Sequence, residues 1–453
     1  MLQGWNTGWN VRRIDAAAAI DGAGLSLKHD SGVSAVIDRG PDGSLALVAL
    51  GPTAEIAASS RWAGVPVIDR RTCLLTPGLV NAHTHLDLTH IGPQPHDPAG
   101  GFAPWIDMVR RNRLNEEVAV AESVRKGIGL LLAGGTVLVG DIAGAVGGRA
   151  SPFAARALAD DGRINGVAFV EFFAQGQHAP ERVAAAHAVW AGLAPSRPDG
   201  GRTVFGVQPH APYSVSFASY GDILESVEQD TPVCTHLAES VAEHEFIAKG
   251  TGPFRALLES IGAWDPSTSS EVGRGRTPVE HLRHYLSSTP IATVHCNDVS
   301  ATDLGLLAHT KASILYCPRS SVYFAAERDF GPHRYREMLA AGVTVALGTD
   351  SIVNLDTPDR ISVWDEMRLL ARRDGTDPVK LLAMGTVNGA AALRRDKALF
   401  TLARLGPLAG LLAIPVPEAN RTANPSEMLE AALRADRSSG ENGGPELVAI
   451  GRV

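Results

Sequence analysis

The stretch Thr76-Pro77-Gly78-Leu79-Val80-Asn81-Ala82-His83-Thr84-His85 reads as a buried strand that ends in two histidines one residue apart. Side chains at i and i+2 of an extended strand point to the same side, so His83 and His85 can aim both imidazoles at one point. That is metal-ligand geometry, although an isolated His-x-His pair is as often an accidental or surface pair. The apolar run from Leu74 to Val80, with Pro77 and Gly78 inside it, argues against a surface loop.

From residue 74 to about residue 395, apolar strand runs alternate with longer helical stretches, the signature of repeated βα units. Eight strands are predicted: Leu75 to His85, Thr136 to Asp141, Val167 to Phe172, Thr203 to His210, Val233 to Leu237, Ile291 to His295, Ser313 to Cys317 and Val343 to Asp350. Eight such units predict an α/β protein with a closed (β/α)8 TIM-like barrel. His83, His85, Asp141, His210, His236, His295 and Asp350 fall at the C-terminal ends of these strands, where such barrels collect catalytic groups. Asp141 taken alone reads better as a hydrogen-bonded structural group. The coincidence across several strands is what predicts a site.

On the N-terminal side, residues 10 to 72 alternate short apolar runs with Gly, Asp and Pro turns, as several β-strands do. The βα rhythm stops after residue 397, yet Glu446 to Val453 reads as one more strand, expected to pair with the N-terminal ones. The expected organisation is a small β-sandwich domain from residues 1–72 and 397–453, and a barrel from 73–396. Asp265 to Thr277 reads as a polar insertion, and the tail from 415 to 445 as polar and irregular.

A chain of 453 residues has room for a large barrel plus a smaller domain. Its net charge of -8, with both signs spread along the chain, offers no basic patch for nucleic acid. No stretch has the form of a signal peptide or a membrane span, so a cytoplasmic protein without membrane partners is expected. Cys73, Cys234, Cys296 and Cys317 lie far apart beside apolar segments, as buried reduced thiols do, and no Cys-x-x-Cys supports a thiolate zinc site. Cys296 beside His295 raises a thiol nucleophile, but a neutral core thiol is the better reading.

The motifs Pro77-Gly-Leu-Val-Asn-Ala-His-Thr-His85, His236-Leu-Ala-Glu239, Val294-His-Cys296 and Leu347-Gly-Thr-Asp-Ser351 together resemble those of the amidohydrolase superfamily over nearly the whole chain. The resemblance implies one divalent metal held by His83, His85, His236 and Asp350; zinc suits these ligands, and iron or manganese fits the same set. Many members bridge two metals through a lysine on the fourth strand, but Thr203 to His210 contains none, so a one-metal site is expected. Glu171, on the third strand, is assigned a structural or substrate-side role. One-metal members with His-x-x-Glu spacing on the fifth strand are mostly nucleobase and nucleoside deaminases. By that resemblance Glu239 shuttles a proton to the ring nitrogen, while Asp350 and His295 orient the attacking water and accept its proton. The alternative for Glu239 is a helix N-terminal carboxylate favoured by the dipole.

Within the superfamily, Pro209-His-Ala-Pro-Tyr-Ser-Val-Ser216 and His236-Leu-Ala-Glu239 most resemble deaminases of 5′-substituted adenosine derivatives, which implies a purine nucleoside substrate contacted by His210. Phe102-Ala-Pro-Trp-Ile106, Arg110, Arg113 and Cys317-Pro-Arg-Ser-Ser-Val-Tyr-Phe324 look closest to aminofutalosine deaminases of menaquinone biosynthesis, whose substrate carries a carboxyphenyl group. Phe102 and Trp105 would then cover a ring and Arg319 hold the carboxylate; equally, the aromatics pack a loop and Arg319 pairs a structural acid. The rival readings are a methylthioadenosine/S-adenosylhomocysteine deaminase, another cyclic-amidine deaminase or chlorohydrolase, and a non-catalytic barrel that need bind no metal. A serine hydrolase lacks its Gly-x-Ser-x-Gly elbow. Many relatives are dimers, which makes a homodimer the expectation by resemblance, with no interface readable from the residues. Leu405 to Ile414 lacks the aspartate usual near this point in relatives, a departure that bears on the β-domain and not on the site.

Overall fold

The structure, a computed structural model, describes residues 10–101, 103–193, 201–435 and 444–452. Strands β1 (Asn10–Ile20), β2 (Ser26–Arg39), β3 (Leu45–Pro52) and β4 (Val67–Pro77) precede the barrel strands β5 (Leu79–Thr84), β6 (Thr136–Ala143), β7 (Asn165–Phe172), β8 (Thr203–Pro209), β9 (Val233–Leu237), β10 (Ile291–His295), β11 (Ser313–Tyr316) and β12 (Thr344–Leu347). Three more, β13 (Gly406–Pro407), β14 (Gly410–Pro415) and β15 (Glu446–Ile450), follow.

The eight barrel strands form one parallel sheet in chain order. A parallel bridge from Thr84 to Asp350, with Thr349 N–H on the His83 carbonyl at 2.9 Å, joins its last strand to its first. β5, β6 and β7 are buried along their whole length, as strands covered on both faces must be. Gly348 sits where this closure is tightest: a Cβ there would lie 2.8 Å from His83 Cβ. Glycine lets the eighth strand approach the histidine strand.

The strand predicted over Leu75 to His85 is in fact two. Leu75 to Pro77 end β4, which pairs with β14, and β5 begins at Leu79. Gly78 is the crossing point, where a Cβ would lie 2.4 Å from the Val137 side chain. The apolar run is continuous because both sheets are buried there, so it carries no mark of the change.

Both ends of the chain share one mixed sheet, ordered β13-β3-β2-β1-β4-β14-β15, with β15 antiparallel to β14 as its outer strand. The tail is more regular than its composition suggests. Asn424 and Glu427 form a capping box at the start of the helix Pro425–Arg434, which buries Met428, Leu429 and Leu433. Likewise the polar insertion contains a short helix, Pro266–Glu271, capped by Asp265 and followed by Glu271, which accepts the Phe217 N–H at 2.8 Å. Among the described residues no helix is long and apolar enough to cross a membrane.

Two imidazoles packed into this fold, His281 buried and His333 half-buried, set an acid limit on stability. Burial, with Arg276 and Arg274 nearby, lowers His281 to about 4, and burial also lowers His333 to about 4. Unfolded, each titrates near 6.5, so between those values the unfolded chain binds more protons than the native one. Their contribution is intact above about pH 6.5 and is lost as pH falls toward 4, by about 1.4 kcal/mol per pH unit for each imidazole. Urea midpoints from pH 7 to 4.5 are expected to fall less steeply in His281→Leu than in the wild type. Parallel curves would exclude His281 as a source of the slope.

Candidate metal centre and active site

His83 and His85 leave β5 on one side of the chain, and His236 comes from β9 across the barrel mouth. Ring centroids are 5.0 Å apart for His83 and His85, 5.2 Å for His83 and His236, and 5.5 Å for His85 and His236. One ring nitrogen from each of the three lies within 4.8 Å of the other two. Asp350, just past β12, brings Oδ1 to 3.8 Å from His83 Nε2 and 3.6 Å from His85 Nε2.

This donor set fits a divalent metal. Both ring nitrogens of His83 and Nδ1 of His85 are buried with no hydrogen-bond partner among the described residues, a costly arrangement unless something else binds there. Burial and the neighbouring His83 lower His85 to about 3, so its ring is neutral and has a free lone pair. His236 Nδ1 lies 3.1 Å from the His210 carbonyl and 3.3 Å from the Gln208 side-chain amide; a proton on Nδ1 satisfies the carbonyl and leaves Nε2 to coordinate. Asp350 accepts from Ser351 N–H at 2.8 Å, Ser320 Oγ at 2.7 Å and Asn354 Nδ2 at 2.8 Å, three bonds that fix its orientation and favour the carboxylate.

Glu239 and His295 complete the centre, with Oε1 3.3 Å from His295 Nε2. Burial, reinforced by the charges of Asp350 and Glu243, pushes the Glu239 carboxyl well above its ordinary range. The protonated form is thereby favoured. His295 is lowered to about 4 by burial and is a neutral acceptor. Ala238 (φ 55°), His295 (φ 70°), Cys296 (φ 52°) and Asp350 (φ 57°) are left-handed, so four of the six such non-glycine residues among those described sit at the ends of site strands. Glu243, fully buried, stabilises the first of these turns by accepting Ala238 N–H at 2.9 Å and Glu239 N–H at 2.8 Å. This departs from the simple reading of Glu239 as a helix N-terminal carboxylate, since Glu243 takes that work.

Other predicted residues divide. His210 lies beside His236, ring centroids 5.0 Å apart, with Nδ1 2.7 Å from Ser214 Oγ. Asp141 accepts Leu86 N–H at 2.8 Å and is structural. Glu171 accepts Ala145 N–H at 3.0 Å and pairs with Arg113 at 3.2 Å; burial opposes its ionisation, but Arg113 and His210 hold it at about 2. Trp105 packs edge-on against Phe324 at 5.3 Å, and Phe102 lies outside the described residues.

Arg319 takes the second of its two readings, the partner of a structural acid. Its Nε bonds Glu366 at 2.6 Å, one terminal nitrogen bonds Asp356 at 3.2 Å and Thr357 at 3.0 Å, and the other bonds the Ser362 carbonyl at 3.3 Å. Glu366 is fully buried, so this pair anchors two helices, and the fork is not available to clamp a ligand carboxylate. All four cysteines are free and buried, and burial pushes Cys296 up to about 12, which rules it out as the nucleophile.

Beside Glu239 opens a cavity of about 620 Å³ walled by Ile106, Phe254, Leu257, Phe324 and Phe330, with Arg110 at its edge. An apolar chamber meeting a few convergent polar groups is the usual form of a small-molecule site.

Residues missed from the sequence are the supports: Ser320 and Asn354 on Asp350, and Glu243 on the Ala238 turn. Only Glu243 left a signal, since Ser240-x-x-Glu243 has capping-box spacing.

Comparison with known proteins agrees with this geometry. The chain is 30% identical over 335 residues to the aminodeoxyfutalosine deaminase of Deinococcus radiodurans, covering 71% of this chain and 73% of that protein. It is 27% identical over 376 residues to the 5-methylthioadenosine/S-adenosylhomocysteine deaminase of Moorella thermoacetica, covering 78% and 76%. Its fold matches the crystal structure of an adenosine deaminase from Xanthomonas campestris with bound zinc, at a TM-score of 0.66 and 20% identity over 98% of this chain and 94% of that one. Residues 74–401 match the amidohydrolase family itself, and with the metal-ligand cluster at the barrel mouth this shows that the chain belongs to that family.

Proposed function

We propose that this chain is a metal-dependent aminohydrolase that replaces the 6-amino group of an adenosine-derived nucleoside with oxygen, releasing ammonia and leaving hypoxanthine, and that its nucleoside is aminodeoxyfutalosine. It is a hydrolase of carbon–nitrogen bonds in cyclic amidines. The observation that carries this reading is Glu239, a buried carboxyl whose protonated form is favoured, 3.3 Å from His295 and beside three histidines and an aspartate with metal-ligand geometry.

A divalent ion held by His83, His85, His236 and Asp350, zinc being the ion bound in the Xanthomonas relative, supplies Lewis acidity and an acidified water. The residues do the rest. Asp350, fixed by Ser320 and Asn354, orients the attacking water and, with His295, takes its proton. Attack on an amidine carbon of the purine requires protonation of the adjacent ring nitrogen, which Glu239 supplies. The proton taken from water goes to the departing amine, which leaves as ammonia, and the hydroxyl proton released as the carbonyl forms restores Glu239, so water and amine exchange with no net change in charge. His210, beside His236, is assigned to the nucleoside, and Phe102 and Trp105 to covering a ring of it.

Two features support the carboxyphenyl nucleoside: the greater identity to the Deinococcus enzyme, and an aromatic chamber with Arg110 at its edge. A second reading, deamination of methylthioadenosine or S-adenosylhomocysteine, is favoured by the commitment of Arg319 to Glu366, which leaves the chamber without the expected carboxylate clamp. Ultraviolet-monitored assays of aminodeoxyfutalosine, methylthioadenosine, adenosylhomocysteine and adenosine separate them. Hypoxanthine formation confined to the carboxyphenyl compound is the expected result. Turnover only of the sulfur nucleosides selects the second reading, and bound metal without any adenine turnover refutes both.

A further inference from the structure

His333 lies in the short connection between the helices Ala326–Phe330 and Tyr335–Ala340, in a segment that no motif of the sequence singles out. Its ring is half-buried and lies face to face on Tyr316, centroids 3.7 Å apart and planes inclined by 15°. Nδ1 accepts Tyr335 N–H at 3.0 Å, an assignment with no alternative because a backbone nitrogen can only donate. The ring proton therefore sits on Nε2, which donates to the His295 carbonyl at 2.9 Å. The platform is itself fixed. Arg373 bonds the Tyr316 hydroxyl at 3.2 Å, and the Tyr335 hydroxyl bonds Asp374 at 2.8 Å.

The carbonyl receiving this bond belongs to the last residue of β10, which still pairs with Leu237 of β9 but has no partner in β11. The β10–β11 pairing ends at Val294 and Leu315, and His295 (φ 70°) and Cys296 (φ 52°) are consecutive left-handed residues. Left-handed backbone at non-glycine residues persists only where its surroundings over-determine it. Cys296 N–H reaches the Leu237 carbonyl at 2.9 Å on one side, and His333 holds the His295 carbonyl on the other.

We infer that His333 is a positioning residue for His295, its Nε2–H securing the left-handed turn that presents the His295 ring to Glu239. The inference rests on the proposed role of His295 in deamination. A satisfied core histidine would use the same two ring nitrogens; the distinguishing point is that one of them ends on the backbone of the residue opposite Glu239.

The test uses the full chain loaded with metal, with His333→Phe and His333→Gln. Phe keeps the stack and loses the donor, whereas the Gln amide can still donate to the carbonyl. The expected result is a fall in kcat of about 10²-fold for the Phe variant, with KM and metal content unchanged and most of the loss restored by Gln. A readout independent of turnover is the 15N imidazole spectrum of histidine-labelled protein. It is expected to show an Nε2–H tautomer at His333 and a displaced His295 signal in the Phe variant only. Equal kcat in all three proteins, or a His295 signal unmoved by Phe, overturns the inference. If the wild type turns over none of the nucleosides, the functional reading has failed, and the His295 signal alone then upholds or overturns the positioning role.

Discussion

Glu239→Gln is expected to lower kcat by about 10³-fold while KM, metal content and fold stay close to those of the wild type. The substitution keeps shape and polarity but removes the transferable proton. It also spares the turn, because Glu243 binds the backbone N–H groups of residues 238 and 239 and Asn297 Nδ2 binds the residue 239 carbonyl at 3.1 Å, none of which involves the replaced atoms. Asp350 and His295 are assigned to the proton of the attacking water, so neither serves as a second donor to the ring nitrogen. Steady-state hypoxanthine formation at pH 7 and metal quantified by mass spectrometry make the measurement. A kcat within tenfold of the wild type, at full metal content, would assign the proton transfer to some other group.

What was legible in the sequence follows from what each residue's role depends on. His83, His85 and His236 could be placed because strand alternation and barrel topology fix where a strand end points, and both leave their mark in local sequence. Glu239 followed from three residues of spacing and a resemblance. Arg319 stayed between two readings for the opposite reason: its partner Glu366 lies 47 residues away, and no local pattern reveals that a buried acid awaits it. Ser320, Asn354 and His333 were missed on the same ground, since each acts through a contact made only when distant segments meet. Gly78 is a subtler case. It separates two buried sheets that share one apolar run, so hydrophobicity cannot show the boundary. The helix Pro266–Glu271, by contrast, did announce itself through the Asp265-Pro266 start, a cap followed by proline in the first turn, inside a segment whose overall composition suggested a loop.

The same dependence on assembled geometry makes metal binding the sharpest test of the centre. His83→Ala is expected to abolish stoichiometric metal binding and, with it, measurable deamination. His83 is fully buried with both ring nitrogens unpartnered, so it has no structural hydrogen bond to lose. Its removal leaves two imidazoles and a carboxylate already held by three other donors. A ligand that binds only the native state adds about 4 kcal/mol of stability when its free concentration is a thousand times its Kd. Zinc titrated into chelator-treated protein should therefore raise the thermal midpoint of the wild type and leave that of His83→Ala unmoved. That comparison also separates loss of the site from loss of the fold, because the untitrated proteins should melt close together: the three histidine ligands come from the ends of β5 and β9, while the strands behind them remain intact. Full metal content in His83→Ala, or an equal zinc-induced shift in both proteins, would place the ion elsewhere and remove the basis for the deaminase chemistry.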